Sequence, residues 1–350
     1  MFLRYNAESP ITAESPITIV SMPSMLYRTA LFAVTPLLIA GLFAAESSAG
    51  ELTLKQTDTG YTILIGDQLF AGYITNQAGA PIVYPVIGPG GKGMTRDFPM
   101  KSGYEPIRED HPHQRSLWFT HGAVNGLDFW NAPRGELGPR YKIQHKRFVK
   151  AESDGKTAVL ITENDWLGED DQVLCSDVRM LRFSGDADMR FIDFDITITT
   201  GQDQVLFGDT KEGTFGIRVP EVLAVDARRG GRFVNAEGLA GEINEEGRRV
   251  EAAWGKRSSW VNYYGEIDGE KAGIAVLNHP SSFRYPTYWH VRGYGLFAAN
   301  PFGVHEFDKL TDTRAGDHTL LKGESFTLRY RVVLHKGDVD IAEVFKEYAR

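Results

Sequence analysis

Alternation with a period of two runs along most of this chain and restricts it to β-structure. From Phe191 to Thr199, Ile192, Phe194, Ile196 and Ile198 fall on one side, and Asp193, Asp195, Thr197 and Thr199 on the other. That is the pattern of a half-buried strand. Phe326, Leu328, Tyr330, Val332 and Leu334 alternate with Thr327, Arg329 and Arg331, and the runs 157–163 and 271–277 repeat the theme. Turn signals such as Asp58-Thr59-Gly60, Gly66-Asp67, Gly185-Asp186 and Asp268-Gly269 separate these runs, and 37 glycines suit many tight turns. Short strands with this punctuation predict a sandwich or barrel rather than a βαβ fold. One helix is expected, at the end. Ile341, Val344, Phe345 and Tyr348 fall at helical spacing, and Asp340 followed by Glu343 makes a capping pair. No linker or charge run divides residues 50–350, so the expectation is one all-β domain, a large antiparallel sandwich closed by a C-terminal helix.

The first 49 residues read as a leader rather than fold. Residues 7–12 repeat at 13–18, and a secretory signal then spans about 22–49. Arg28 supplies its positive start, Thr29 to Ala45 its apolar run, and Ser47-Ser48-Ala49 its small-residue cleavage site. Cleavage after Ala49 would deliver the chain to the periplasm or the exterior, with no stable membrane span left. The net charge of −8 becomes −7 on loss of Arg4 and Arg28 with Glu8, Glu14 and Glu46. A mildly acidic chain without basic blocks does not fit nucleic acid, which demands phosphate neutralisation. Cys175 is the only cysteine, so a disulfide scaffold, a thiolate zinc cluster and an iron–sulfur cluster are excluded. Its apolar neighbours make it a buried small hydrophobe.

Asp110-His111-Pro112-His113-Gln114-Arg115 carries an unusual density of hydrogen-bonding chemistry, with His121 shortly after. Buried polar groups must find partners, so this stretch lines a site or forms a structural network. A second polar face follows if residues 283–294 are extended. Phe283, Tyr285, Trp289 and Val291 then face the core, and Arg284, Tyr288, His290, Arg292 and Tyr294 face away. Arginine forks and phenols suit an oxygen-rich ligand such as a sugar or uronate; a solvated outer face is the alternative. The turn Asn300-Pro301-Phe302-Gly303 can bring Asn300 to the rim, and Pro286 suggests an edge or bulge. Between two strand-like runs lies Asp209-Thr210-Lys211-Glu212-Gly213. There Lys211 and Glu212 point apart if extended, and Glu212 is either a catalytic acid or base or part of a charged hairpin loop.

His111 and His113 would share one strand face about 7 Å apart, suited to two ligands of one divalent metal. His121, roughly 33 Å from His111 on an unbroken strand, could not join them. A third ligand would come from elsewhere, such as His290 or Glu212. Arg115 on the same face disfavours a cation unless an anionic substrate intervenes. Hence a metal site, a metal-free acid/base site and a structural network all stay open.

The motifs Asp110-His111-Pro112-His113-Gln114-Arg115-x-Leu117-Trp118-Phe119, Asn125-Gly126-x-Asp128-Phe129-Trp130, Asp209-Thr210-Lys211-Glu212-Gly213 and Trp289-His290-Val291-Arg292 resemble the bacterial PmoA-like family, often labelled methane oxygenase PmoA. The similarity extends over roughly residues 55–345, with Ser116 where that pattern has glycine. It implies an exported β-rich protein associated with polysaccharide degradation, and the fold expected is similar to the galactose-mutarotase-like supersandwich. The mature chain has no run of about twenty apolar residues that could span a bilayer. Together these readings predict acid/base chemistry (hydrolysis, elimination or epimerisation) on a sugar, uronate or oligosaccharide. His111, His113, His290 or Glu212 would move protons. Arg115, His121, Lys211, Arg284, Tyr288, Arg292 and Asn300 would bind substrate. The rivals are a metal-dependent oxygenase or hydrolase using His111, His113 and a third ligand, and a non-catalytic glycan-binding module, whose signature would be exposed tryptophans on a flat face; Trp118 and Trp130 are either of that kind or core.

Overall fold

Two large antiparallel sheets lie face to face. The computed structural model describes residues 50–103 and 109–350; the expected leader lies outside the described residues. The nine-stranded sheet runs from Leu52–Thr57 at one edge, through Leu117–His121, Gly213–Arg218, Leu296–Asn300 and Thr287–Val291, to Arg257–Ser258. The ten-stranded sheet runs from Arg249–Glu251 to Lys142–Ser153, with Trp260–Ile267, Glu270–Asn278, Ser325–Lys336 and Met189–Thr199 at its centre. The strands predicted from alternation are therefore present, and the fold is the expected large antiparallel sandwich.

Every second residue of the facing strands enters one apolar core. Phe215 stacks on Tyr330 with centroids 4.7 Å apart, Phe119 on Phe194 at 6.2 Å, and Phe70 meets Phe183 edge-on at 5.7 Å. Such pairs add about 0.5–1.5 kcal/mol each beyond their buried area. Cys175 is fully buried here, as its neighbours predicted. One charged network is sealed inside the core. Asp177 accepts from Arg179 through both carboxylate oxygens at 2.9 Å, from Asn164 Nδ2 at 2.7 Å and from Trp166 Nε1 at 2.8 Å.

The C-terminal helix, Ile341–Tyr348, starts where expected. Asp340 caps it, accepting from the Ala342 and Glu343 amides at 3.0 and 3.3 Å. Glu343 pairs with Lys346 instead of closing the capping box. The helix lays Ile341, Val344, Phe345 and Tyr348 on the outer face of the ten-stranded sheet. A short second helix, Val304–Asp308, was not foreseen. Among the described residues no helix is long and apolar enough to cross a membrane.

Candidate functional site

The outer face of the nine-stranded sheet carries the polar chemistry. Trp118 lies flat across it because Gly216 on the next strand has no side chain; a Cβ there would come within 2.6 Å of the indole. Trp118 and Trp130 pack at 5.0 Å, and both are buried, so they are core and not an exposed glycan platform.

Residues 110–116 form a loop and not the expected strand, which begins only at Leu117. His111 has φ +46° and Ser116 φ +57°, left-handed values that alternation cannot reveal. Ser116 takes the conformation that glycine adopts freely, and its hydroxyl donates to Val83 O at 2.7 Å. The loop is pinned by two buried arginines. Arg96 and Arg218 both bind Asp110 Oδ1, at 2.7 and 2.9 Å. Burial would raise the Asp110 carboxyl. The hydrogen bond from His111 and the charges of Arg218 and Arg96 outweigh it and hold the group far below the carboxylate range. The other oxygen, Oδ2, lies 3.3 Å from His111 Nδ1.

His111 stacks on Tyr294 with centroids 4.9 Å apart and planes 8° from parallel. Gln114 Nε2 reaches Tyr294 Oη at 3.4 Å, and the Arg218 guanidinium lies over the Tyr294 ring at 4.6 Å. Two stretches far apart in sequence thus meet at Tyr294. The charges of Arg292, Lys211 and His111 all act on His290, and those of Arg292 and Glu212 reach Tyr294.

His290 Nδ1 lies 3.1 Å from Lys211 O, which accepts its proton and leaves Nε2 as the basic atom. Burial, helped by the nearby positive charges, pushes His290 down to about 3 despite that hydrogen bond. His113 is likewise pushed to about 3, by burial first and then by the charges of His111, Arg115, Arg96 and Arg218. Both are neutral imidazoles. His111 is the exposed one, with 39% of its side chain accessible. Lys211 does pair with Glu212, at 3.2 Å, and with Glu306, at 3.1 Å, so the expectation that Lys211 and Glu212 point apart is corrected. Arg292 Nε lies 3.5 Å from Glu251 Oε2, its guanidinium lies 5.8 Å from the Tyr294 ring centroid, and its side chain is 30% exposed.

Several expected ligand contacts fall elsewhere. Arg115 is wholly buried and donates to the carbonyls of Gln77 and Ala78, at 2.9 Å for the latter; it cannot reach a ligand from the surface. His121 shares the inward parity of Leu117 and Phe119, sits between Phe207 and Phe302, and bonds Gly208 O at 2.9 Å. It is a core histidine, lowered to about 4 by burial. Arg284 lies in a turn before the strand with φ +57° and clamps the carbonyls of Gly316 and Asp317 at 2.6 and 2.9 Å. Tyr288 is on the expected face, but its hydroxyl is committed to Asp308. Asn300 positions the 209–213 segment, donating to Thr210 O at 2.8 Å and accepting from the Phe302 amide at 2.8 Å.

The His111 and His113 rings meet edge-on at 5.7 Å, and among the described residues no group of three His, Cys, Asp or Glu side chains is placed to hold an ion. The residues missed by sequence reasoning are the orienting ones: Arg96, Arg218, Glu251 and Glu306. Their signal was weak, since each is a lone charge in an ordinary strand, loop or short helix.

Solved structures give only distant likenesses. The heparan sulfate lyase HepC from Pedobacter heparinus is 11% identical over 84% of this chain and 36% of its own, with a TM-score of 0.36. The galactosidase domain of an α-galactosidase–sucrose kinase is 9% identical over 82% and 41%, with a TM-score of 0.37. A putative aldose 1-epimerase from Escherichia coli K12 is 12% identical over 83% and 97%, with a TM-score of 0.34. The chain thus spans roughly two fifths or less of the first two, and at these scores nothing about activity transfers. No curated protein matches the sequence. The PmoA-like membership expected from the motifs is also corrected, because the family model that matches is a different one. It covers residues 61–349 and is described as a family of unknown function, and the chain belongs to that family, DUF6807.

Proposed function

We propose that this chain is an exported carbohydrate-active enzyme that performs acid/base chemistry on an acidic sugar in the hollow around Tyr294. The observation that carries the reading is the stacking of His111 on Tyr294, which joins an oriented histidine to the Arg292 and Lys211–Glu212 groups. Asp110 Oδ2, 3.3 Å from His111 Nδ1, favours a proton on that nitrogen and leaves Nε2 to take or give a proton. Glu212, held by Lys211, is the second proton-transfer group. Arg292 offers an open guanidinium to the sugar carboxylate, a geometry that favours bidentate pairing. His290, neutral and with a fixed tautomer, accepts a substrate hydroxyl.

Arginine, imidazole and phenol facing one hollow suit a uronate better than a neutral ring. The test is turnover of uronate-containing oligosaccharides by the wild type and by His111→Ala and Arg292→Ala. Each variant should lose at least a hundredfold in kcat/KM with an unchanged melting temperature. Undiminished turnover by both would overturn the reading; binding without any product would make the chain a glycan-binding module. The leader read at residues 22–49 is tested separately, by N-terminal sequencing of the protein from the periplasm or medium. A mature terminus at Gly50 is expected; a retained leader would overturn export by cleavage.

A further inference from the structure

A cavity of about 650 Å³ lies on the outer face of the ten-stranded sheet, beside the start of the C-terminal helix. That is within the range of small-molecule sites. Its floor is built rather than left over. His335, 2% exposed, lies across the neighbouring strand at Gly273, where a Cβ would come within 2.1 Å of Nε2. A glycine in a central strand weakens it, and here it makes room for an imidazole.

His335 Nδ1 lies 3.1 Å from Gly337 O, and Nε2 lies 3.2 Å from Asn262 Oδ1. The amide oxygen is thus turned to the ring, and the NH2 is the Asn262 group left to the cavity that this residue lines. A donor at a cavity wall calls for an acceptor such as a sugar hydroxyl oxygen. Trp260 and Tyr264, two residues either side of Asn262 on the same strand face, supply aromatic walls. The rim balances Arg229, Arg232 and Lys271 against Glu266, Asp338 and Asp340. A charge-balanced rim offers no advantage to an ionic ligand.

We propose that this cavity is a second carbohydrate site, which takes one or two neutral sugar rings of a glycan by aromatic contact with Trp260 and Tyr264 and a hydrogen bond from the Asn262 amide to a sugar hydroxyl oxygen. It rests on the reading of the chain as carbohydrate-active, yet it lies on a different sheet from the hollow and is separable from it. Its role is to hold a neutral part of the polymer.

The test is isothermal titration of the full chain with neutral tetrasaccharides (cello-, xylo-, manno- and maltotetraose). At least one should bind the wild type saturably. Trp260→Ala and Tyr264→Ala should each weaken that binding at least tenfold, with an unchanged far-UV circular dichroism spectrum, and Arg292→Ala should leave it as it was. Tyr264→Ala guards against misfolding of the Trp260 variant, because Tyr264 contributes to the wall without packing under the helix. No saturable binding to any of the four overturns the proposal, as does binding lost in Arg292→Ala but retained in both cavity variants. If Arg292→Ala abolishes uronate turnover while neutral sugars fail to bind, the second site falls and the catalytic reading stands. If neutral sugars bind while no uronate is turned over, the second site stands and the catalytic reading falls.

Discussion

Two arginine–carboxylate networks in this molecule use the same chemistry for different ends. Asp177 and Arg179 are sealed between the sheets, with side chains 0% and 1% exposed, and each Asp177 oxygen accepts two hydrogen bonds. Asp110 is 28% exposed and shares Oδ1 between Arg96 and Arg218, which leaves Oδ2 for His111. The first network is saturated and can only hold the core. The second has one coordination position to spare, and that position orients a histidine exposed to solvent. Spare hydrogen-bonding capacity next to an accessible titratable group, rather than charge density, distinguishes the candidate site from the scaffold.

The contrast is broken most directly at its sealed end. Asp177→Ala strands a buried guanidinium, and loss of one partner of such a pair costs about 3–5 kcal/mol; urea denaturation would measure it. A cost no greater than that of Asp110→Ala would make the two networks equivalent.

Acid should sharpen the contrast next. His113, His121 and His290 have folded values of about 3, 4 and 3, against an ordinary 6.5. The unfolded chain takes up protons below pH 6.5 that the folded chain refuses, so their contribution is complete above that pH and is lost as pH falls toward 3–4. His121 alone contributes on the order of 3 kcal/mol of this loss by pH 4. His121→Phe should flatten the fall in denaturation free energy over pH 6.5–4; an unchanged slope would show that the imidazole is not neutral in the folded core.

Asp110→Asn tests the open network. It keeps the shape but weakens the hold on His111, and kcat/KM on a uronate substrate should fall about 10–100-fold, the size of a lost orienting contact. The expected stability loss is smaller, about 1–2 kcal/mol, because the group is partly solvated. The reverse ranking would place Asp110 with Asp177 as scaffold. The smallest effect marks the baseline: Asp340→Ala removes an exposed helix cap and should cost about 1 kcal/mol by thermal melting.

The strands were legible because alternation is a direct record of one face buried and one exposed, as at Ile192 to Ile198. The same rule misled at His111 and His113. A His-x-His repeat imitates a strand, and the left-handed turns at His111 and Ser116 leave no periodic trace. The glycine expected at position 116 was the available clue. Parity would have corrected His121, since Phe119 two residues earlier is core. Pro286 should have stopped the strand short of Arg284, and it does: the strand begins at Thr287. The cavity at Asn262 and His335 was illegible because its members come from separate strands whose register no local pattern reveals.

The contact between Gln114 and Tyr294 closes a separation of 180 residues. Pairings so remote are slow to form, because the intervening chain must be ordered before they contribute. The meeting of the two stretches at Tyr294 is therefore a late product of folding, and an N-terminal fragment ending before Tyr294 would carry the histidine loop with nothing to stack against.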